Sequence, residues 1–99
     1  MGKVSYTNRA REDLTTIWLH IAPNNPSAAD RVVDRIEDRC NRLRDYPQLG
    51  RARVEIAGDA RILIIERWVA LYHLVENGIQ IVRIVDGTRD LTNLEWTPE

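Results

Sequence analysis

The chain has 99 residues, a formal net charge of −1 at pH 7 and a hydrophobic fraction of 43%, which together predict one folded domain and exclude a disordered chain. A net charge this close to zero argues against a protein that binds nucleic acid mainly through overall positive charge, although a local basic surface is compatible with it. The single cysteine, Cys40, excludes an internal disulfide. Because the sequence has neither a signal peptide nor a long apolar run, we expect a soluble cytoplasmic protein without a membrane segment.

The N-terminal part predicts a short strand followed by a helix. Residues 4–7 alternate in polarity as in a strand, and Asn8 can cap the helix that follows. This helix ends at Pro23, because the residue before a proline avoids the α-helical region. Its apolar side chains recur at helical spacing on one face, which we expect to lie in the core: Ala10, Leu14, Ile17, Trp18 and Ile21.

A second helix begins at the capping residue Asn25, has Pro26 in its first turn, and extends to about Tyr46, just before Pro47. The short connection predicts a hairpin of two antiparallel helices. One face of the second helix alternates in charge and is expected to be solvated. The opposite face is apolar and expected to be buried, its cysteine included: Ala29, Val32, Val33, Ile36, Cys40 and Leu43.

The second half of the chain changes to the two-residue period of strands. The strands are predicted at residues 51–55 (a short edge strand or an extended arm), 61–65, 68–75 and 79–85. The Asn77-Gly78 pair predicts a hairpin with a type I′ turn between the last two strands. Asp90 can cap one further helical turn that runs through Leu94.

These elements predict an α+β fold with the order β-α-α-β-β-β, in which the helical hairpin packs on one face of an antiparallel sheet. No linker or repeat divides the chain, so we expect a single domain over residues 1–99.

The sequence offers no motif for metal, cofactor or acid–base chemistry. It has no phosphate-binding loop, no cysteine–histidine cluster with metal spacing, and no convincing pair of carboxylates. His20 and His73 lack a second histidine or thiol within predictable reach, and we expect both to be satisfied by ordinary hydrogen bonds. We therefore expect no bound metal and no cofactor.

Arginine outnumbers lysine thirteen to one, which suits pairing with carboxylates or phosphates, although base composition can also produce it. Arg83 lies on an otherwise apolar central strand, so it either pairs with a helix carboxylate or points at a partner. On the second interpretation the arginines line a cationic cleft that binds an acidic peptide, a protein or RNA phosphates; they are Arg51, Arg53, Arg61, Arg83 and Arg89.

Two of the tryptophans lie outside any obvious core position. Trp68 is beside a strand turn, and exposed aromatic side chains near arginines are typical of protein interfaces. Trp96 lies in a short polar tail, where it either contacts a partner or packs the tail back onto the fold.

The order and spacing of several segments resemble ParE toxins of the RelE/ParE toxin–antitoxin superfamily, over nearly the whole chain. The segments are residues 10–14 (Ala-Arg-Glu-Asp-Leu) with Ile17 and Trp18, residues 25–29 (Asn-Pro-Ser-Ala-Ala), residues 47–55, Tyr72, and residues 83–91. The resemblance implies the RelE/ParE-like fold.

The superfamily also holds RelE-type members that cut messenger RNA on the ribosome. In those members a tyrosine–arginine pair opens the strand matched here by residues 68–72, and the arginine stabilises charge on the scissile phosphate. Val69 stands at that position and cannot do so. Their C-terminal tyrosine also has no counterpart, since residues 94–96 are Leu-Glu-Trp. The resemblance therefore disfavours RNA cleavage and favours a protein that is not an enzyme.

The ParE resemblance implies a toxin that binds DNA gyrase and traps it on cleaved DNA, as in plasmid stabilisation systems. It also implies neutralisation by a ParD-like antitoxin in a hetero-oligomer, with DNA contacted only indirectly through the antitoxin. The candidate antitoxin-binding residues are Arg53, Arg61, Trp68, Tyr72 and Arg83. The candidates for gyrase binding and toxicity are Arg89 and Trp96. Two alternatives stay open: a RelE-type endoribonuclease, and a non-toxic module that serves only as an antitoxin-binding partner or co-repressor.

Overall fold

The computed structural model describes residues 2–99, which contain two α-helices and five strands. The elements are β1 Lys3–Tyr6, α1 Asn8–Ile21, α2 Pro26–Asn41, β2 Arg51–Ala52, β3 Arg61–Ile65, β4 Trp68–Val75 and β5 Gly78–Asp86. Short 3-10 helices cover Arg42–Arg44 and Leu91–Asn93, the second of them capped by Asp90 as predicted.

The strands form one sheet in the order β1-β5-β4-β3-β2. β2 to β5 make the predicted antiparallel meander, and the helical hairpin packs on one face, so the α+β prediction is confirmed. The sheet is mixed rather than purely antiparallel, because β1 runs parallel to β5. A long crossover through the helices connects β1 to the rest of the sheet, and such a connection permits parallel pairing where a tight turn does not.

Both faces of the sheet are apolar. Along β4, Val69 and Leu71 belong to one buried cluster while Ala70 and Tyr72 belong to the other, because successive side chains in a strand point to opposite faces. The helices cover the Tyr72 face; residues 91–96 and Ile56 cover the Val69 face.

The predicted helix stripes pack in the core, Cys40 included, except for Trp18 and for Val33, which is half-buried and lies outside the core cluster. Trp18 is 36% exposed, and its indole Nε1 donates a hydrogen bond of 2.8 Å to Asp30 Oδ1 on the neighbouring helix. It lies at the margin of the stripe, where an aromatic ring with a polar N–H can cover the helix pair and still reach a polar partner.

The cap of α1 is Thr7 instead of the predicted Asn8. Thr7 Oγ1 accepts from the Ala10 amide at 3.0 Å and donates to the Val82 carbonyl at 2.9 Å, so one buried hydroxyl joins the helix to β5. Asn25 caps α2 as predicted, with Oδ1 accepting from the Ala28 amide at 3.1 Å. The α2 helix ends at Asn41, before the predicted end at about Tyr46, and the chain continues as the 3-10 helix Arg42–Arg44.

The hairpin between β4 and β5 is confirmed, but its turn is shifted by one residue. Gly78 already pairs with Val75, so the two loop residues are Glu76 and Asn77, and of these only Asn77 has a positive φ, 69°. The predicted type I′ turn at Asn77-Gly78, which needs positive φ at both central residues of the loop, is therefore wrong. The glycine serves strand packing instead, because a Cβ on Gly78 would lie 2.0 Å from the Lys3 carbonyl oxygen.

Within residues 2–99 the structure contains no helix with the length and apolar character needed to cross a membrane.

Candidate protein-binding surfaces

Tyr72 anchors the loop that leads into β2. Its side chain is fully buried; its hydroxyl accepts from the Gly50 amide and donates to the Pro47 carbonyl, both at 2.8 Å. Gly50 is required for this approach, since a Cβ there would lie 2.6 Å from the Tyr72 hydroxyl. The expectation that Tyr72 contacts an antitoxin is therefore replaced by a positioning role, because no part of the side chain reaches the surface.

Arg61 holds the same loop from the other side. Its Nε donates to the Gly50 carbonyl at 3.0 Å and its Nη2 donates to the Gln48 carbonyl at 3.2 Å. The side chain is partly buried, so it orders this end of the sheet and still borders the surface.

This loop leads to Arg51 and Arg53, which lie at the edge of the sheet beside β3. These two arginines were predicted from the sequence to lie in one cluster with Arg61. Arg53 Nε donates to Glu55 Oε2 at 2.6 Å. Hydrogen bonds from the Glu55 backbone N–H and from Arg53 lower the pKa of the Glu55 carboxyl. This edge carries an ordered cluster of guanidinium groups, of which Arg51 is the most exposed.

The same edge of the sheet is open along most of β3. β2 pairs only with Arg61 and Ile62, so no strand within residues 2–99 lies beside the end of β3; the Ile64 carbonyl accepts only a long side-chain hydrogen bond of 3.4 Å from Arg39 Nη2. Ile64 on this stretch is 61% exposed, and Leu49 beside it is 53% exposed. An unpaired strand edge with apolar side chains is a template for another chain.

Arg83 lies in the interior, with 3% of its surface exposed. Its Nε and Nη2 donate to Asp13 Oδ2 and Oδ1 at 2.8 and 3.2 Å. Asp13 Oδ2 also accepts from the Ile84 amide at 2.9 Å, beyond the point where β1 stops pairing with β5. The prediction of a helix carboxylate as the partner is confirmed, and a buried, doubly bonded guanidinium is not free to contact an antitoxin.

A corner of the molecule forms where β4 begins and β5 ends. Arg67 donates from Nη2 to Asp86 Oδ2 at 2.7 Å, and its guanidinium lies 4.9 Å from the centre of the Trp68 ring, a cation–π distance. Asp86 Oδ1 accepts from the Thr88 amide and hydroxyl, and these bonds together with Arg67 lower the pKa of Asp86 to about 2. Arg89 follows this turn, is exposed, and has no side-chain partner among the residues that the structure describes.

A pocket of about 240 Å³ opens between this corner and α1. It brings together Trp68 and Arg89, which the sequence assigned to separate partners. Sequence reasoning missed Arg67 and Asp86 as members of the site. The signal that could have found them is the hairpin register, since Trp68 pairs directly with Asp86.

Trp96 packs the tail back onto the sheet, which was one of the two predicted roles. Its ring makes an edge contact with His73, with centroids 5.5 Å apart and planes at 74°. His73 is satisfied by hydrogen bonds, as predicted: Nδ1 lies 2.9 Å from Asp59 Oδ2 and Nε2 lies 2.9 Å from Gln80 Oε1. The Gln80 amide in turn donates to the Glu99 carbonyl at 2.8 Å, which fixes the end of the tail over the sheet.

Val69 lies under this tail. It is 6% exposed and belongs to the apolar cluster that also contains Leu71, Val85 and, at its margin, Trp96. Val69 also borders the open groove beside Arg67 and Gly87, and as a valine it offers no charge to a phosphate there.

Among residues 2–99, no group of three or more histidine, cysteine, aspartate or glutamate side chains is arranged to hold a metal ion. Burial raises the pKa of the Cys40 thiol to about 12, which leaves it protonated at neutral pH.

Comparison with known proteins identifies the family. Residues 4–91 match the family model described as the ParE toxin of the type II toxin–antitoxin system parDE. The chain is similar to Toxin ParE3 of Caulobacter vibrioides, with 33% identity over 92% of each chain. It is also similar to Toxin RelE2 of the same organism, with 32% identity over 90% of this chain and 99% of that protein.

A solved structure agrees. A chain from the structure titled "Chromosomal ParDE TA system from P. aeruginosa" superposes with a TM-score of 0.76 at 26% identity, covering 87% of this chain and 96% of that one. The family match over most of the chain and the shared architecture lead to one conclusion: the protein belongs to the ParE toxin family of type II toxin–antitoxin systems.

Proposed function

We propose that the protein inhibits growth by binding DNA gyrase, without cleaving RNA, and that a cognate ParD-like antitoxin neutralises it. One observation carries the proposal beyond family membership. Val69 is packed under the tail in an apolar cluster, on the sheet face where RNA cleavage would require a phosphate-binding arginine. A toxin with this surface acts through shape and charge complementarity.

The open edge of β3 is the proposed docking site for the antitoxin. An extended acidic segment added there would gain main-chain hydrogen bonds, cover Ile64 and Leu49, and place carboxylates near Arg51 and Arg53. Arg61 holds the loop behind this edge. The exposed residue Arg89 is proposed as part of the toxicity surface, and Trp96 as the side chain that shapes it.

The edge can be tested by pull-down and calorimetry with the product of the neighbouring reading frame. Ile64→Glu adds a charge that repels an acidic segment, and we expect it to weaken the complex at least about tenfold. Leu74→Glu is the matched control, because Leu74 is also an exposed leucine-sized side chain, 42% exposed, at the far end of β4. Equal affinity of the two variants would show that the antitoxin does not use this edge.

A RelE-type endoribonuclease is the alternative function. Relatives named Toxin RelE2 and Toxin RelE3, at 32% and 31% identity, favour it. Two observations argue against it: position 69 is a valine, which has no charge to stabilise a phosphate, and the Tyr72 side chain is fully buried.

Induced expression in cells separates the functions. We expect growth arrest, accumulation of gyrase-linked DNA breaks and intact transcripts; purified toxin should also inhibit supercoiling by purified gyrase. Cleaved transcripts with normal supercoiling would establish the nuclease instead. If a folded, soluble toxin has no effect on growth, the protein is a non-toxic antitoxin-binding module.

A further inference from the structure

The pocket between α1 and the β4–β5 corner has the dimensions of a site for one side chain. Its volume of about 240 Å³ is below the ~300–1,000 Å³ typical of small-molecule sites. Its inner wall is apolar and comes from three elements: Ile17 of α1, Trp68 of β4 and Ile84 of β5. Val85 borders the pocket through its backbone, because its side chain packs on the opposite face of the sheet. A pocket of this kind takes the apolar anchor residue of a protein partner.

The rim of the pocket carries one uncompensated positive charge. Asp13, although it lines the pocket, is neutralised by Arg83, and Asp86 is paired with Arg67. Arg89 is left without a partner among residues 2–99. A single free guanidinium fits one carboxylate, whereas a phosphate dianion or a nucleic acid backbone would bring more negative charge close to Asp86.

The guanidinium of Arg67 is already fixed. Its bond to Asp86 and its stacking on Trp68 hold the rim in one geometry, so little rotamer entropy is lost there when a partner binds. The hydroxyl of Thr16 and the ring of His20 also line the opening and offer further hydrogen bonds from α1.

A second groove lies on the opposite face of the sheet and shares Arg67 and Asp86 with the pocket. It is lined by Ile64, Glu66, Arg67, Val69, Asp86, Gly87 and Thr88. The Arg67–Asp86 pair therefore borders both depressions, and the exposed side chain of Ile64 lies at the far end of the second.

We infer that this pocket binds an acidic segment of a partner protein, by taking in one large apolar side chain while Arg89 pairs with a neighbouring carboxylate. The inference rests on the proposed function only in that the protein acts by binding another protein. It needs neither gyrase nor an antitoxin to be tested.

The probe is a set of three blocked nine-residue peptides. One has a central leucine flanked by aspartate and glutamate in a glycine background, the second has glycine in place of the leucine, and the third has lysine in place of the acids. Binding is followed by the NMR signals of the Trp68 indole N–H and the Arg89 amide, with thermal unfolding to confirm that each variant is folded. We expect the acidic leucine peptide to shift both signals saturably, and added salt to weaken its binding.

The variant is Arg89→Glu, with Arg42→Glu as the matched control, because both arginines are exposed and Arg42 lies after α2, outside both proposed binding surfaces. Arg89→Glu should weaken binding about tenfold or more, and Arg42→Glu should leave it within about twofold.

Three results would overturn the inference. The first is the absence of shifts at Trp68 and Arg89 up to millimolar peptide, and the second is equal binding of the lysine or glycine peptide. The third is the same shifts with inorganic phosphate alone, which would make the site a phosphate site. If the peptide binds as expected but purified toxin does not inhibit gyrase, the pocket inference is supported and the gyrase proposal is refuted. If gyrase is inhibited but the peptide does not bind, the gyrase proposal is supported and the pocket inference is refuted.

Discussion

The buried pair of Asp13 and Arg83 offers the sharpest test of how this fold is held together. Asp13 accepts three hydrogen bonds, two from Arg83 and one from the Ile84 amide, at 2.8–3.2 Å. Removing one partner of a buried pair leaves an uncompensated charge and costs about 3–5 kcal/mol. A domain of this size has roughly 5–15 kcal/mol of stability in total. Arg83→Met should therefore remove a large share of it, although Arg9 Nε, 3.8 Å from Asp13 Oδ1, still partly compensates the carboxylate.

Asp13→Ala should cost more than Arg83→Met. It leaves the Arg83 guanidinium unpaired and also removes the acceptor for the buried Ile84 amide, which adds about 1–3 kcal/mol. The double variant Asp13→Leu with Arg83→Met should cost less than the sum of the single changes, because it leaves no charge behind.

Urea unfolding followed by tryptophan fluorescence measures these differences. With a slope of about 1–3 kcal/mol/M, Arg83→Met should lower the midpoint by at least about 1 M. Arg35→Met is the matched control: Arg35 also pairs with a carboxylate, Glu66, but both side chains are more than half exposed, so we expect less than about 1 kcal/mol. If Arg83→Met behaves like Arg35→Met, the pair is not the structural element described above. If Arg83→Met instead keeps full stability and loses antitoxin binding, Arg83 is a partner contact.

The remaining predictions concern single groups. Tyr72→Phe should cost about 1–3 kcal/mol by urea unfolding, because Gly50 and Pro47 lose their partner. Tyr6→Phe should cost less than about 0.5 kcal/mol, because its buried hydroxyl meets only the Cys40 thiol, a weak hydrogen-bonding group; equal costs would refute both assignments. The Asp86 carboxyl has its pKa lowered from 3.8 to about 2 in the folded protein, so its contribution to stability is present above pH 4 and lost as the pH falls towards 2. An NMR pH titration of its carboxyl carbon checks this, and a midpoint near 3.8 would refute it. Cys40, with a buried thiol, should react with iodoacetamide at neutral pH only as fast as the protein unfolds; rapid labelling of the folded protein would contradict its burial.

Elements with regular hydrophobic spacing were predictable from the sequence. The 3.6-residue stripe that contains Ile17 predicted the first helix, and the short run of aliphatic residues around Ile62 predicted a strand of the meander. The cap at Asn25 was predictable because its chemistry is local.

The errors occurred where a distant residue decides a local choice. Thr7 caps α1 because its hydroxyl also meets the carbonyl of Val82, and Gly78 is kept small by the backbone of Lys3. Neither contact is visible within a sequence window. The partner of Arg83 is Asp13, separated from it by 70 positions, which pattern reasoning could describe only as some helix carboxylate.

The candidate surfaces follow from which parts of the sheet are left uncovered. Helices cover one face, and the tail with Trp96 covers the other, so a partner can reach the sheet at the β3 edge or at the corner that holds Arg67. The groove that runs from Ile64 past Arg67 joins these two places. A partner that docks on β3 and follows this groove therefore reaches Arg67 and Asp86, which also border the pocket beside Trp68. If the antitoxin uses the whole surface, the acidic leucine peptide should compete with it for the toxin; if it uses only the edge, peptide and antitoxin should bind together. Competition between peptide and antitoxin would therefore place the pocket within the antitoxin interface, and simultaneous binding would place it outside that interface.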